Sequence, residues 1–198
     1  MSAPSFNRNS AFEWPPQCCV AAFLNAGLNT FNVPCSTPAV LPSVLGIRVG
    51  PDDANPLSLC VAGPGETIGI TAKAAALSIN RFLSELEAPI RFLHIPFNTI
   101  PFGLYSSVLY NALHLGIVIG AGVDYLSLEP NAATKPVRHV FRVSQADAQT
   151  ATLVDDSAER SPAEFSISLE QLEKAVLAAR DGWWLIGPEP ELELITVV

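Results

Sequence analysis

Charge is scarce in this chain. Only 15% of its 198 residues are Asp, Glu, Lys or Arg, and the eleven basic residues are outnumbered by nineteen acidic ones, for a formal net charge of −8. The basic residues form no cluster. Nucleic acids and anionic lipid surfaces are held mainly by concentrated positive charge, so neither is expected as a partner. Long apolar runs are also missing. The longest, Leu115 to Val123, is far too short to span a bilayer. Met1 to Pro16 carries one arginine and no apolar stretch, so it does not read as a secretory signal. The expectation is a cytoplasmic protein whose four cysteines, Cys18, Cys19, Cys35 and Cys60, stay reduced. Histidines number three and lie far apart, and neither they nor the cysteines show metal-ligand spacing. Gly63-Pro64-Gly65-Glu66 lacks the Gly-Lys-Ser/Thr ending of a phosphate-cradling loop and reads as a turn. No metal and no cofactor is expected.

Hydrophobic residues, by contrast, make up 49% of the chain and the mean hydropathy is +0.32. A chain of this length and composition buries a core without disulfides. Seventeen prolines imply many defined turns and extended connections. No composition shift or repeat divides the sequence, so residues 1–198 are expected to form a single domain.

Apolar periodicity predicts helices over Cys18–Leu28, Thr71–Glu87, Thr99–Leu115 and Ser168–Arg180. The first should stop near Gly27 and Asn29. The last carries Ser168 as N-cap with Gln171 three residues on. Strands are predicted over Pro89–Phe97, Gly116–Gly122, Val137–Ser144, Thr150–Asp155, Trp183–Ile186 and Leu192–Val197. Residues 1–16 read as an extended arm. In Val137–Ser144 the alternation sends Val137, His139, Phe141 and Val143 to one face and Arg138, Val140 and Arg142 to the other. The chain therefore reads as α+β, with N-terminal helices packed on a C-terminal, mostly antiparallel sheet.

Four residues carry potential chemistry. Cys18 and Cys19 open the first helix. A thiol there feels the positive end of the helix dipole, which favours the reactive thiolate. The same amides can hold the oxyanion of a tetrahedral intermediate. His139 lies on one strand of a predicted hairpin. Asp155 ends the other, where a carboxylate can orient an imidazole, and Asp156 competes for that role. Each has a plain alternative: small cysteines packing a helix, a core histidine bonded to backbone, an Asp-Asp-Ser turn. His94 and His114 read as core or interface residues, and Trp183-Trp184 as sheet packing.

Gln17-Cys18-Cys19-Val20-Ala21-Ala22-Phe23-Leu24 resembles the nucleophile helix of papain-like cysteine peptidases of the bacteriocin-processing, double-glycine leader type. Cys19 fits the nucleophile best, because Ala22 and Leu24 then match the family's small and apolar positions. His139-Val140-Phe141-Arg142-Val143 is similar to its His-apolar strand, and Thr152-Leu153-Val154-Asp155 to the strand ending in its Asp. Ser168-Leu169-Glu170 and Gly182-Trp183-Trp184 are similar to its closing helix and aromatic strand. The resemblance implies a papain-like fold and a hydrolase that cleaves a peptide or amide through an acyl-enzyme on Cys19. His139 would be the base, Asp155 its orienting acid and Gln17 the oxyanion-hole amide. A transferase of the same fold, or a binding protein without turnover, are the alternatives. Three features depart from the family: Val20 replaces the glycine after the nucleophile, Asp156 replaces the proline after the acid, and Gln17 is only two residues before Cys19, with Glu13 nearer the usual place. The stretch from Asn32 to Pro101 is extra length, expected to form a lid or substrate-binding insertion. Neither substrate identity nor oligomeric state is legible.

Overall fold

A computed structural model describes residues 14, 17–35, 37–50, 61–64, 66, 68–101, 104–128, 138–157 and 164–196. The predicted N-terminal arm falls almost wholly outside the described residues. The helices are α1 (Cys19–Thr30), α2 (Leu41–Leu45), α3 (Ala72–Glu85), α4 (Tyr105–His114), α5 (Tyr125–Leu128), α6 (Leu169–Ala179) and α7 (Glu189–Thr196). The strands are β1 (Arg91–Pro96), β2 (Val118–Asp124), β3 (Arg138–Ala146), β4 (Thr150–Val154), β5 (Glu164–Ser168) and β6 (Gly182–Gly187). They form one six-stranded sheet in the order β1-β6-β2-β3-β4-β5, and every pairing is antiparallel. The chain is thus α+β. No helix among the described residues is long and apolar enough to cross a membrane.

The sheet is covered on both faces, which makes its central strands apolar on both sides. On one face Phe92, Val118, Val140, Trp184 and Ile186 pack with α1 and with Ala75, Ile79 and Leu83 of α3. On the other, Ile119, Ala121, Val123, Phe141, Val143 and Leu153 pack with α4 and α6. The helices are not gathered ahead of the sheet: α6, expected over Ser168–Arg180, is joined in the C-terminal half by α5 and α7. Three precede β1, and the others are interspersed among the strands and follow the last one.

Helix α1 is buried along nearly its whole length, from Cys19 to Leu28. It ends at Thr30, one residue past the expected Asn29, and runs through Gly27. That glycine is a point of close approach, where a Cβ would come within 2.7 Å of Ile186 Cδ1. Gly120 plays the same part under Phe23, where a Cβ would come within 2.8 Å of the ring. The two glycines let α1 lie directly on β6 and β2. Helix α3 starts where Thr71 caps the Ala74 amide. It also shields the outer edge of β1: the Asn80 side chain donates to Phe92 O at 2.9 Å and accepts from Phe92 N at 2.8 Å. This is a side-chain substitute for a neighbouring strand. Helix α6 opens with Ser168 Oγ accepting from Gln171 N at 3.1 Å, as the capping box predicts.

One predicted strand is a helix. Leu192–Val197 was expected to close the sheet, but Glu189–Thr196 forms α7, with Leu192 and Ile195 buried. Leu192 and Ile195 are three apart, a helical spacing. Pro190 and the acidic residues Glu189 and Glu191 occupy its first turn, where proline and negative charge are favoured. The short β-branched run Ile195-Thr196-Val197 obscured these signals.

Candidate functional site

The site is built at the ends of β3 and β4. His139 is the second residue of β3, and Asp155 follows the last residue of β4. The hairpin register pairs Arg142 with Val154, which carries the chain on so that Asp155 comes back beside His139. Their side chains meet at 3.1 Å, His139 Nε2 to Asp155 Oδ1, and both are almost fully buried, at 3% and 0% exposure. The same oxygen accepts from Ser157 N at 3.0 Å and from Ser157 Oγ at 2.6 Å. Three donors thus converge on one carboxylate oxygen. Burial alone would raise the Asp155 pKa. The hydrogen bond and charge of His139, with the hydroxyl and amide of Ser157, outweigh it and hold the carboxyl below its ordinary value.

This geometry settles two questions about the imidazole. A carboxylate at Nε2 makes that nitrogen the donor, so the lone pair of the neutral ring sits on Nδ1. The ring is also wedged among aromatics: its centroid is 4.4 Å from that of Phe141 and 5.9 Å from that of Tyr125. Packing and carboxylate together leave it one orientation.

Of the two acids, Asp155 takes the histidine. Asp156 turns to Arg142, which donates to it from Nε and Nη2 at 2.9 Å each, to Oδ2 and Oδ1 respectively.

Cys19 is the first residue of α1, and Cys18 is its N-cap. No side chain caps this helix and no acid sits in its first turn. The first-turn amides have no intrahelical acceptor, and the dipole's positive end is not offset by an acidic side chain there. Cys19 is 8% exposed, whereas Cys18 is 0% exposed. Both are buried, and of the pair only Cys19 has any exposed surface. Cys18, Cys19 and Cys35 are all free thiols. Helix α1 packs against β3, and Cys19 shares an apolar cluster with Val140, the neighbour of His139. Phe23, one turn further along α1, sits over Gly120 beside Val140. Helix α1 therefore lies on the Val140 face of the sheet. His139 and the rings that flank it, Phe141 and Tyr125, lie on the sheet's other face, opposite α1.

Gln17 precedes the N-cap with φ +67°, a left-handed conformation costly for a residue with a Cβ. Its Oε1 accepts from Gly50 N at 3.2 Å. The carbonyl end of the amide is thereby committed to the loop after α2, which fixes the direction of the NH2 end. Glu13, the rival position for this amide, lies outside the described residues.

Trp183 and Trp184 are buried in the sheet. His94 is partly buried against Trp184 and lies 2.8 Å from Asp181, a second His–Asp pair that the sequence did not suggest. His114 is exposed at the end of α4 rather than in the core. The Asn32–Pro101 stretch contributes α2, α3 and β1 to the main body of the fold. It also lines an open depression of about 370 Å³ bounded by Gly46, Arg48, Glu66 and Thr71, which includes none of the candidate residues. Ser157 and Arg142 were missed as site residues. The Asp-Asp-Ser sequence was the available signal for Ser157, since an Asp side chain commonly accepts from the amide two residues on. No family model matches the sequence, and no curated protein matches it.

Proposed function

We propose that the protein is a papain-like cysteine hydrolase that cleaves a peptide or amide bond through an acyl-enzyme on Cys19. The observation that carries this reading is the buried His139–Asp155 pair, held at 3.1 Å and reinforced by Ser157. A carboxylate that fixes the histidine tautomer is the part of a nucleophilic site hardest to explain by packing alone.

In this mechanism the Cys19 proton passes to Nδ1 of His139, and the thiolate attacks the carbonyl carbon. The new S–C bond pushes electrons onto the oxygen, which the α1 N-terminal amides and the Gln17 side-chain NH2 stabilise. Collapse breaks the C–N bond, and the imidazolium returns its proton to the departing amine. Water then attacks the thioester, giving its proton to His139, and the thiol leaves reprotonated. An amine in place of water makes the same site a transferase. Asp155 stays ionised throughout and stabilises the imidazolium.

The shallow exposure of Cys19, at 8%, favours a second reading, a papain-like binding protein without turnover. One experiment separates the two. The protein is mixed with p-nitrophenyl acetate, and the release of p-nitrophenolate is followed while adducts are mapped by mass spectrometry. A burst with acetylation confined to Cys19, lost in Cys19→Ala and strongly slowed in His139→Ala, supports the hydrolase. Acetylation that is absent, or spread over Cys35 and Cys60, or indifferent to His139→Ala, supports the binding protein.

A further inference from the structure

Strand β4 ends at Val154, paired with Arg142, and the ladder goes no further along the hairpin. Asp155 is therefore beyond the last backbone pairing, and some other contact has to set the direction of its side chain. The next residue supplies one. Asp156 is clamped by the guanidinium of Arg142 through three contacts, Nε to Oδ2 at 2.9 Å, Nε to Oδ1 at 3.2 Å and Nη2 to Oδ1 at 2.9 Å. Both side chains are more than nine-tenths buried, at 6% and 9% exposure.

A planar fork gripping a carboxylate fixes orientation as well as distance. Arg142 and Val140 are two apart on β3, so they point to the face that α1 covers, and His139 points to the other. Holding Asp156 on the α1 side directs the preceding side chain, Asp155, to the side of His139. The turn is then closed by Ser157, whose amide and hydroxyl bind Asp155 Oδ1.

We infer that Arg142 is a positioning residue: by clamping Asp156 it sets the Asp155 carboxylate against His139 Nε2. The inference rests on the hydrolase reading for its catalytic meaning, but its geometry can be tested without turnover. Lysine at position 142 keeps the positive charge and loses the fork, since an ammonium is a point charge with no planar geometry. Asparagine at 156 keeps the shape and loses the charge.

The test is nitrogen-15 NMR of the His139 ring in the intact protein, wild type beside Arg142→Lys and Asp156→Asn, with Asp155→Asn as the reference for a broken pair. The folded state of each is checked by circular dichroism. Wild type is expected to show the Nε2–H tautomer with a protected imidazole proton. In both variants that proton exchanges with water at least about tenfold faster, the factor corresponding to loss of roughly one ordinary hydrogen bond, and the tautomer signature moves toward that of Asp155→Asn. Rates and ring shifts that match wild type in the folded variants would overturn the inference. So would unfolding of both variants, because the ion pair would then serve the fold rather than the dyad. If wild-type Cys19 fails to acylate while the ring signature still responds to Arg142→Lys, the hydrolase reading falls and the positioning role stands.

Discussion

Asp155 and Asp156, adjacent in the chain, grip strand β3 from opposite faces. Asp155 binds His139 at 3.1 Å on one side, and Asp156 binds Arg142 at 2.9 Å on the other. The alternation of a strand is carried one step past its end by side-chain bonds alone.

The Asp155 pKa is lowered on folding, so its contribution to stability has a defined sign. A depressed carboxyl stabilises the folded state fully above its unfolded value, for which the ordinary figure is 3.8, and the contribution is lost as pH falls through the folded value below that. Asparagine at 155 cannot titrate. The stability gap between wild type and Asp155→Asn should be constant near neutrality and shrink below pH 3.8, as measured by urea unfolding at a series of pH values. A gap that widens on acidification would contradict the assignment.

Ser157→Ala removes the 2.6 Å hydroxyl donor from Asp155 and leaves the backbone amide donor in place. A buried hydrogen bond to a charged group is worth about 1.5–3 kcal/mol, so the urea midpoint should fall by a corresponding amount. The same change should slow Cys19 acetylation, because the carboxylate loses one of the contacts that orient it. Unchanged stability would mean that the hydroxyl finds equal partners in the unfolded chain or in water.

Gly182 starts β6 opposite Pro96. A Cβ there would lie 2.0 Å from the Ile95 carbonyl oxygen. That neighbour is backbone within a paired strand and cannot rotate aside. Gly182→Ala should cost about 1–3 kcal/mol or more, seen as a lowered thermal midpoint. Gly27→Ala meets the Ile186 side chain, with Cδ1 at 2.7 Å and Cγ2 and Cβ at 3.1 and 3.3 Å, rather than backbone, and should cost less. The reverse order would show that β1 yields more easily than the α1 interface.

The α6 cap offers a smaller, cleaner test. Ser168→Ala deletes the acceptor of the Gln171 amide and should cost about 1 kcal/mol. Ser168→Asp restores an acceptor and should recover most of that loss.

Much of this architecture was legible because local signals agreed with it. Ser168 with Gln171, Thr71 before an alanine-rich stretch, and the alternation around His139 each name an element and a face. The pairing of His139 with Asp155 followed from a hairpin with a short turn, which constrains sixteen residues of separation to one neighbourhood. Where reading failed, the information was tertiary. Gly27 looks like a helix stop until Ile186 is seen pressed against it. The Leu192–Val197 strand looked plausible because a short apolar run has no period of its own, and only packing of Leu192 and Ile195 into the core decides for a helix. Arg142 reads as a solvated residue of a strand until the sheet is known to be covered on both faces. The role of Asp156 then depends on a partner fourteen residues away.

The central claim is that Cys19 is a thiolate nucleophile governed by His139, and the pH dependence of its alkylation tests that most directly. Iodoacetamide labelling of Cys19 and Cys35 is followed by mass spectrometry from pH 5 to 9, in wild type and in His139→Ala. The account predicts that Cys19 reacts faster than Cys35 at neutral pH and that His139→Ala moves its profile to higher pH while leaving that of Cys35 in place. A Cys19 profile identical in the two proteins, or a Cys19 slower than Cys35 throughout, would contradict it.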